Sequence, residues 1–375
     1  VQNNIYFDHA STTQVHDEVL KTYKKLLDEH FANSEALYSL GSQLANLQEQ
    51  SRQFIAKAFN VKKEEVIFTS GASEANNIAI KGLCFAHQNR KHLITTYIEH
   101  SSVFNAFKQL EMMFGFQVDY LHLKDGVLDF EELKRCLRKD TLLVSVMYVN
   151  NELGTLQDIK QIKDYIKKHS NAYIHVDCVQ ALGKLPIDLR DIDLATFSAH
   201  KINGLKGSGL LVKKQHVKLL PLISGGQQEY GIHGGTSNSL VNILFAKTLR
   251  IALQQQAFNQ IHIQHLSNYL LQQLKKLPVK INRSVSSVDF IVSITTMIKS
   301  EIMINALNQK GIYVSGRSTC SSKDVRPSRV LLDFGLTEEE ALKTIRISFG
   351  KSNTIEEIDI FVTCLREIMD KYATD

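Results

Sequence analysis

Between residues 64 and 212, short apolar runs alternate with segments of helical periodicity. The runs that read as strands are 65–70, 92–98, 116–123, 142–149, 172–177, 194–199 and 209–213. Between most of them lie amphipathic stretches such as "FEELKRCLRK" and "DIKQIKDYIKKH". Near-continuous apolar strands alternating with helices predict an α/β fold: a mostly parallel seven-stranded sheet covered by helices on both faces. Past about residue 241 the texture changes. A long polar helix runs to Pro278, followed by a second α+β region with "DFIVSITT", "GIYVSG" and "TIRISFG" as strands and 354–372 as a terminal helix. The pattern divides the chain into a large domain over 15–255 and a smaller one over 256–375.

The bulk numbers restrict the function classes. A chain of 375 residues is comfortable for two domains, and 43% hydrophobic with 22% charged residues is ordinary for a globular protein. The 44 Lys and Arg exceed the 39 Asp and Glu by five, and no dense basic block occurs. That balance suits phosphate ligands and gives no nucleic-acid-binding signature. Apolar runs are strand-sized, so no membrane association is expected. "VQNNIYFDHAS" lacks the basic flank and apolar core of a signal peptide, and the expected location is the cytoplasm. Five widely spaced cysteines, with no CxxC or Cys/His ligand pattern, argue against a disulfide framework and against a metal site.

The candidate chemistry falls at strand ends, where open α/β sheets bind ligands. In "TSGASEANNIAIKG" a strand stops and a helix starts near Ala72 and Ser73, so free N–H groups and the positive helix end offer an anion cradle. Taken singly, the stretch also reads as a helix start with no ligand. Asp177 closes the apolar strand of "IHVDCVQ". A poorly hydrated carboxylate needs a cation or strong donors, and a pyridinium nitrogen would serve, as would a cap on the following turn. "SAHKINGLKGSG" places Ser198, His200 and Lys201 before three glycines that let the backbone approach a ligand. Lys201, at the end of a buried strand, is a candidate Schiff-base lysine, with Lys206 its rival in the glycine turn. An acid, an amine and an anion cradle on neighbouring strands fit pyridoxal phosphate better than a nucleotide.

Other strand ends add His100, able to stack on a flat ring and shuttle protons, and Asn151 in "YVNNELGTLQD". Arg346, flanked by apolar residues in "TIRISFG", needs an anion: a substrate carboxylate or an internal Asp or Glu. Cys320 lies in "VSGRSTCSSKDVRPSRVL" among Ser, Thr and Gly, with Arg317 and Lys323 three residues to either side, a setting that favours thiolate.

These pieces together resemble the cysteine desulfurases of the NifS/IscS type, within the class V aminotransferases of pyridoxal-phosphate fold type I. The resemblance runs from "YFDHASTT" almost to the C-terminus, through "FTSGASEANNIAIKG", "VNNELGTLQDI", "HVDCVQALGKLPIDL", "SAHKINGLKG" and "RISFG". It implies that residues 1–14 belong with the smaller domain. It implies that Lys201 carries the Schiff base to pyridoxal 5'-phosphate, Asp177 pairs with the ring nitrogen, Gln180 bonds the ring hydroxyl, and His100 stacks on the ring. Ala72, Ser73, Ser198 and His200 would hold the phosphate. Thr236, in "HGGTSN", would reach the phosphate of a neighbouring subunit, implying a homodimer. Asn151 and Arg346 would hold the carboxylate of L-cysteine, and Cys320 would accept its sulfur and pass it to an acceptor protein of tRNA thiolation, thiamine synthesis or iron–sulfur assembly.

The sequence departs from the family pattern at Ser34 and Tyr38, where Pro and His are usual, at Tyr230 and His233, where arginines are common, and at "GRSTC", where S-G-S-A-C is common. Selenocysteine lyase or another reaction on the same scaffold is the alternative enzyme. A catalytically silent sulfur-carrier scaffold is the alternative of another class.

Overall fold

Strands buried on both faces need cover on both sides, and the chain supplies it. The computed structural model describes residues 4–316 and 326–372; Arg317, Cys320 and Lys323 lie outside them. In chain order the strands are β1 (Ile5–Tyr6), β2 (Val66–Thr69), β3 (His92–Thr96), β4 (Gln117–Leu121), β5 (Leu123–Lys124), β6 (Val127–Leu128), β7 (Thr141–Met147), β8 (Tyr173–Asp177), β9 (Leu194–Ser198), β10 (Gly209–Lys213), β11 (Lys280–Asn282), β12 (Ile291–Thr295), β13 (Ile312–Tyr313) and β14 (Thr344–Ser348). The principal helices are α1 (Asp17–Glu29), α2 (Ser39–Phe59), α3 (Ala72–Ala86), α4 (Ser101–Phe114), α5 (Phe130–Cys136), α6 (Ile159–His169), α7 (Ser239–Leu274), α8 (Ser300–Gln309), α9 (Arg329–Asp333), α10 (Glu338–Leu342) and α11 (Ile355–Tyr372).

The seven-stranded sheet runs β2-β10-β9-β8-β7-β3-β4. β10 is antiparallel to both neighbours, and the remaining pairs are parallel. All seven expected strands are present, and the sheet is mostly parallel as expected. One core cluster joins Ile55 and Phe59 of α2, Ile162 and Ile166 of α6 and Phe245 and Leu249 of α7 to one face. On the other, Ile78 and Leu83 of α3 pack with Phe107 and Leu110 of α4. The covering helices are locally specified. In α6, the Asp158 side chain accepts from Gln161 N, and Lys167, Lys168 and His169 occupy the last turn, where the helix dipole favours cations.

The long polar segment forms α7, 36 residues, and leads into a second sheet, β11-β12-β14. In that region "GIYVSG" supplies β13, which shares a core with β12 and β14, pairs in parallel with β1, and is followed by Ser315 bridging to Arg346. This pairing anchors the N-terminal segment. Phe7 is fully buried, with edge-on contacts to Phe349 and Phe361. Burying that ring fixes the position of residues 8–13, which cross the carboxyl ends of β8 and β9.

Phe7→Ala should therefore destabilise the fold by about 3–5 kcal/mol, the usual range for a buried aromatic. Urea unfolding checks this, and a loss under 1 kcal/mol would show that the N-terminal segment is not pinned by Phe7.

Candidate active site

At the carboxyl ends of β8 and β9, register pairs Asp177 with Thr196. Asp177 is 5% exposed and needs compensation. Among the described residues it receives two donors and no cation: Asn76 Nδ2 at 3.0 Å and Val179 N at 3.0 Å. Asn76, fully buried on α3, is held by Thr196 Oγ1, which donates to its oxygen at 2.7 Å. Its amide also donates to Ser102 Oγ at 2.9 Å, and that hydroxyl lies 2.8 Å from His100 Nδ1. His100 is the N-cap of α4, its Nδ1 accepting from Ser102 N at 3.2 Å. The ring proton therefore sits on Nε2. Burial lowers the His100 pKa, with Asp177 opposing and Lys201 and Arg329 reinforcing. One hydrogen-bonded chain thus joins the candidate acid to the candidate proton shuttle.

Lys201 ends the single 3-10 turn Ala199–Lys201 that follows β9. Its amine donates to Ala10 O at 2.7 Å and also contacts Ser11 O. Gln180 Nε2 donates to the same Ala10 carbonyl at 2.9 Å. Two turns from adjacent strands therefore converge on one backbone oxygen. The rival Lys206 is exposed. His200 Nδ1 lies 3.2 Å from Thr12 Oγ1, and burial, helped by Lys201 and other nearby cations, pushes its pKa down to about 4. Ser198 is buried at the end of β9.

The α3 N-terminus has Gly71 as its N-cap, with no side-chain cap bond, so the first-turn amides at Ala72 and Ser73 receive no capping oxygen from that residue. β10 passes close behind. A Cβ on Gly209 would lie 2.4 Å from Gly71 Cα, so only glycine lets strand and loop meet there.

Arg346 is 2% exposed. It donates to Asp8 Oδ1 at 2.6 Å, Ser11 Oγ at 2.7 Å and the Asn151 backbone oxygen at 2.7 Å, while its Nε has no partner. Of the two anions the sequence left open, the internal carboxylate is present as Asp8. Thr236 is exposed and stands apart from this cluster.

The departures from the family pattern have local partners. His233 Nε2 pairs with Glu74 Oε1 at 2.9 Å, and the Tyr230 ring lies 5.3 Å from the Arg52 guanidinium, itself bound bidentately by Glu229 at 2.8 Å. Ser34 accepts from Ser239 Oγ at 2.8 Å, and Tyr38 is the N-cap of α2. Cys84, Cys136, Cys178 and Cys364 are free thiols, and burial pushes all four pKa values up, away from thiolate.

Sequence reasoning missed Asn76, Ser102 and Thr196 as a network, the Ala10 carbonyl, Asp8 and Ser11, and Glu99. Asn76 had a legible signal: it stands four residues after Ala72, on the same face of the helix. Glu99, beside His100, is 1% exposed. Its Oε1 accepts from Met147 N at 2.7 Å and Thr96 Oγ1 at 2.9 Å, and Oε2 has no partner. Burial raises its pKa to about 8.

A cavity of about 950 Å³ reaches Lys201 and Lys184 between residues 12–17 and the middle of α7, without touching Asp177 or His100. Among the described residues no helix is long and apolar enough to cross a membrane, and no cluster of His, Cys, Asp or Glu is placed to hold a metal.

Residues 5–361 match the model of the aminotransferase class-V family. The chain is 36% identical to cysteine desulfurase IscS of Clostridium botulinum, covering 98% of this chain and 95% of that protein. Among solved structures it resembles a NifS-like protein with TM-score 0.92 and 35% identity, covering 98% of this chain and 99% of that one. It also resembles SspA in complex with cysteine, with TM-score 0.82 and 32% identity over 93% of this chain and 100% of that one.

The state of Glu99 gives a pH test. Its folded pKa lies above the unfolded carboxyl value, so between about pH 4.5 and 8 the folded protein holds a proton that the unfolded chain has lost. Stability should fall as pH rises through that window, by up to about 1.4 kcal/mol per unit from this group. Glu99→Gln should remove that slope in urea unfolding at pH 5, 6.5 and 8; identical slopes would mean Glu99 is ionised throughout.

Proposed function

The chain belongs to the aminotransferase class-V family, and from that premise we propose that it is a pyridoxal 5'-phosphate-dependent cysteine desulfurase. It converts L-cysteine to L-alanine and leaves the sulfur as a persulfide on Cys320. The observation that carries this reading is the convergence of Lys201 and Gln180 on the Ala10 carbonyl, with Gln180 three residues past a buried Asp177 whose two donors leave it ready for a cationic ring nitrogen. The weakly capped start of α3, backed by Gly209, supports a phosphate site at Ala72 and Ser73, with Ser198 and His200 opposite.

When bound, the cofactor supplies an electron sink that makes the Cα proton of an amino acid acidic. The protein's own groups do the rest. Lys201 holds the aldehyde and, once released, takes the Cα proton at Nζ. Asp177, as the anion, keeps the ring nitrogen protonated. His100 presents Nε2–H toward the ring face and moves protons there. Arg346, with one nitrogen still unpartnered, and Asn151 hold the substrate carboxylate. The Cys320 thiolate attacks the substrate sulfur. A new S–S bond forms, the substrate C–S bond breaks with its electron pair left on carbon, and protonation of that carbon yields alanine.

The exposed face supports a homodimer. Phe31 is 85% and Leu37 99% exposed. Their loop is tied to the Thr236 segment through Gln228, which binds Glu35 at 2.8 Å and Gly235 N at 3.2 Å. Apolar side chains around an exposed Thr236 suit a partner subunit whose phosphate that hydroxyl reaches. The acceptor is a protein of tRNA thiolation, thiamine synthesis or iron–sulfur assembly. Four free thiols among the described residues favour a reducing cytoplasm.

The test is mass spectrometry after L-cysteine is added to the cofactor-loaded protein. One extra sulfur should appear on the Cys320 peptide in step with alanine. Cys320→Ala should lower alanine release by about a hundredfold or more, as loss of a nucleophile does. Alanine release at the parent rate in that variant would favour a selenocysteine lyase-type reaction instead.

A further inference from the structure

Lys184 is a half-buried lysine that the proposed reaction does not use. Its amine donates to Gln180 Oε1 at 3.2 Å and lies 4.7 Å from the Phe290 ring centroid. Among the described residues no carboxylate lies within ion-pair distance of it. The charged and titratable groups facing it are Lys201, Arg346, His9 and His200. Both histidines are held neutral, with pKa values pushed down to about 4, mainly by burial. Asp8 is committed to Arg346, and Asp177 to Asn76 and Val179. Burial, reinforced by Lys201 and Arg346, lowers the Lys184 pKa to about 7. A fold does not hold an uncompensated amine beside two other cations for stability alone.

The contact with Gln180 gives the amine a use. Below its pKa the Lys184 ammonium has donors and no acceptor, so the Gln180 oxygen faces it. The Gln180 amide nitrogen then points the other way, toward Ala10 O, the carbonyl that also takes Lys201. At the Lys201 end of the pocket Gln180 is therefore a donor. A donor there suits an anionic oxygen.

We infer that Lys184 is a positioning residue: it fixes the Gln180 amide with its N–H toward the cofactor's ring oxygen, holding that oxygen as the anion and leaving the proton of the Lys201 linkage on nitrogen. This rests on the cofactor reading above. Without Lys184 the Gln180 oxygen loses its donor, and only the Ala10 contact opposes an amide turned with its oxygen inward, where it draws the proton onto the ring oxygen.

The test is the absorption spectrum of the pyridoxal-phosphate-loaded protein at pH 6, where Lys184 is protonated, for the parent, Lys184→Met and Lys184→Arg. The parent and Lys184→Arg should keep the visible band. Lys184→Met should transfer at least about half of it to the near-ultraviolet band, a tenfold change in the proton-sharing equilibrium. Lys184→Gln gives the same readout should the methionine variant fail to fold. A parent protein with no visible band sinks the cofactor reading itself. A parent with the band, and folded uncharged variants that match it at pH 6, overturns the role of Lys184 and leaves the cofactor reading intact.

Discussion

The active end of the sheet depends on a backbone carbonyl. Ala10 O accepts from Gln180 and from Lys201, while Ala10 N donates to Ser348 Oγ at 2.8 Å. Asp8 and Ser11, on either side, accept from Arg346. Three residues of the N-terminal segment thus stitch the turns after β8 and β9 to β14. Each of these polar groups is buried or half-buried, so breaking one leaves an unpaired partner at a cost of about 1–3 kcal/mol. That penalty, and the Phe7 anchor, hold three side chains with different duties around one point.

Charge is distributed so that the pocket awaits anions. Lys184, Lys201 and Arg346 stand together, and among the described residues the one carboxylate beside them, Asp8, is engaged by Arg346. On the far side Asp177 accepts from Asn76 and Val179, and His100 is kept neutral by burial with its proton on Nε2. A ligand with negative groups toward the lysines and a protonatable nitrogen toward Asp177 matches both halves.

Much of this was legible in the chain. Strand ends announced Asp177, Lys201 and His100, because an apolar run that stops at a charged residue marks a buried strand meeting a site. Gly209 signalled a close approach, and its contact with Gly71 explains why. The antiparallel entry of β10 was not legible, since pairing direction depends on partners distant in sequence. Neither was the Ala10 carbonyl, because a backbone acceptor leaves no mark on residue identity. Asn76, Ser102 and Thr196 were hidden because small polar residues read as surface until the fold buries them together. Lys184 looked like any lysine after a turn, and only its distance to Gln180 gives it meaning.

The central claim is that the amine of Lys201 holds the cofactor aldehyde while Asp177 faces the ring. Reduction of the loaded protein with borohydride, followed by peptide mapping, tests it most directly. The account predicts the pyridoxyl group on the Lys201 peptide alone. A modified Lys184 or Lys206 peptide, or no modified peptide, would contradict it.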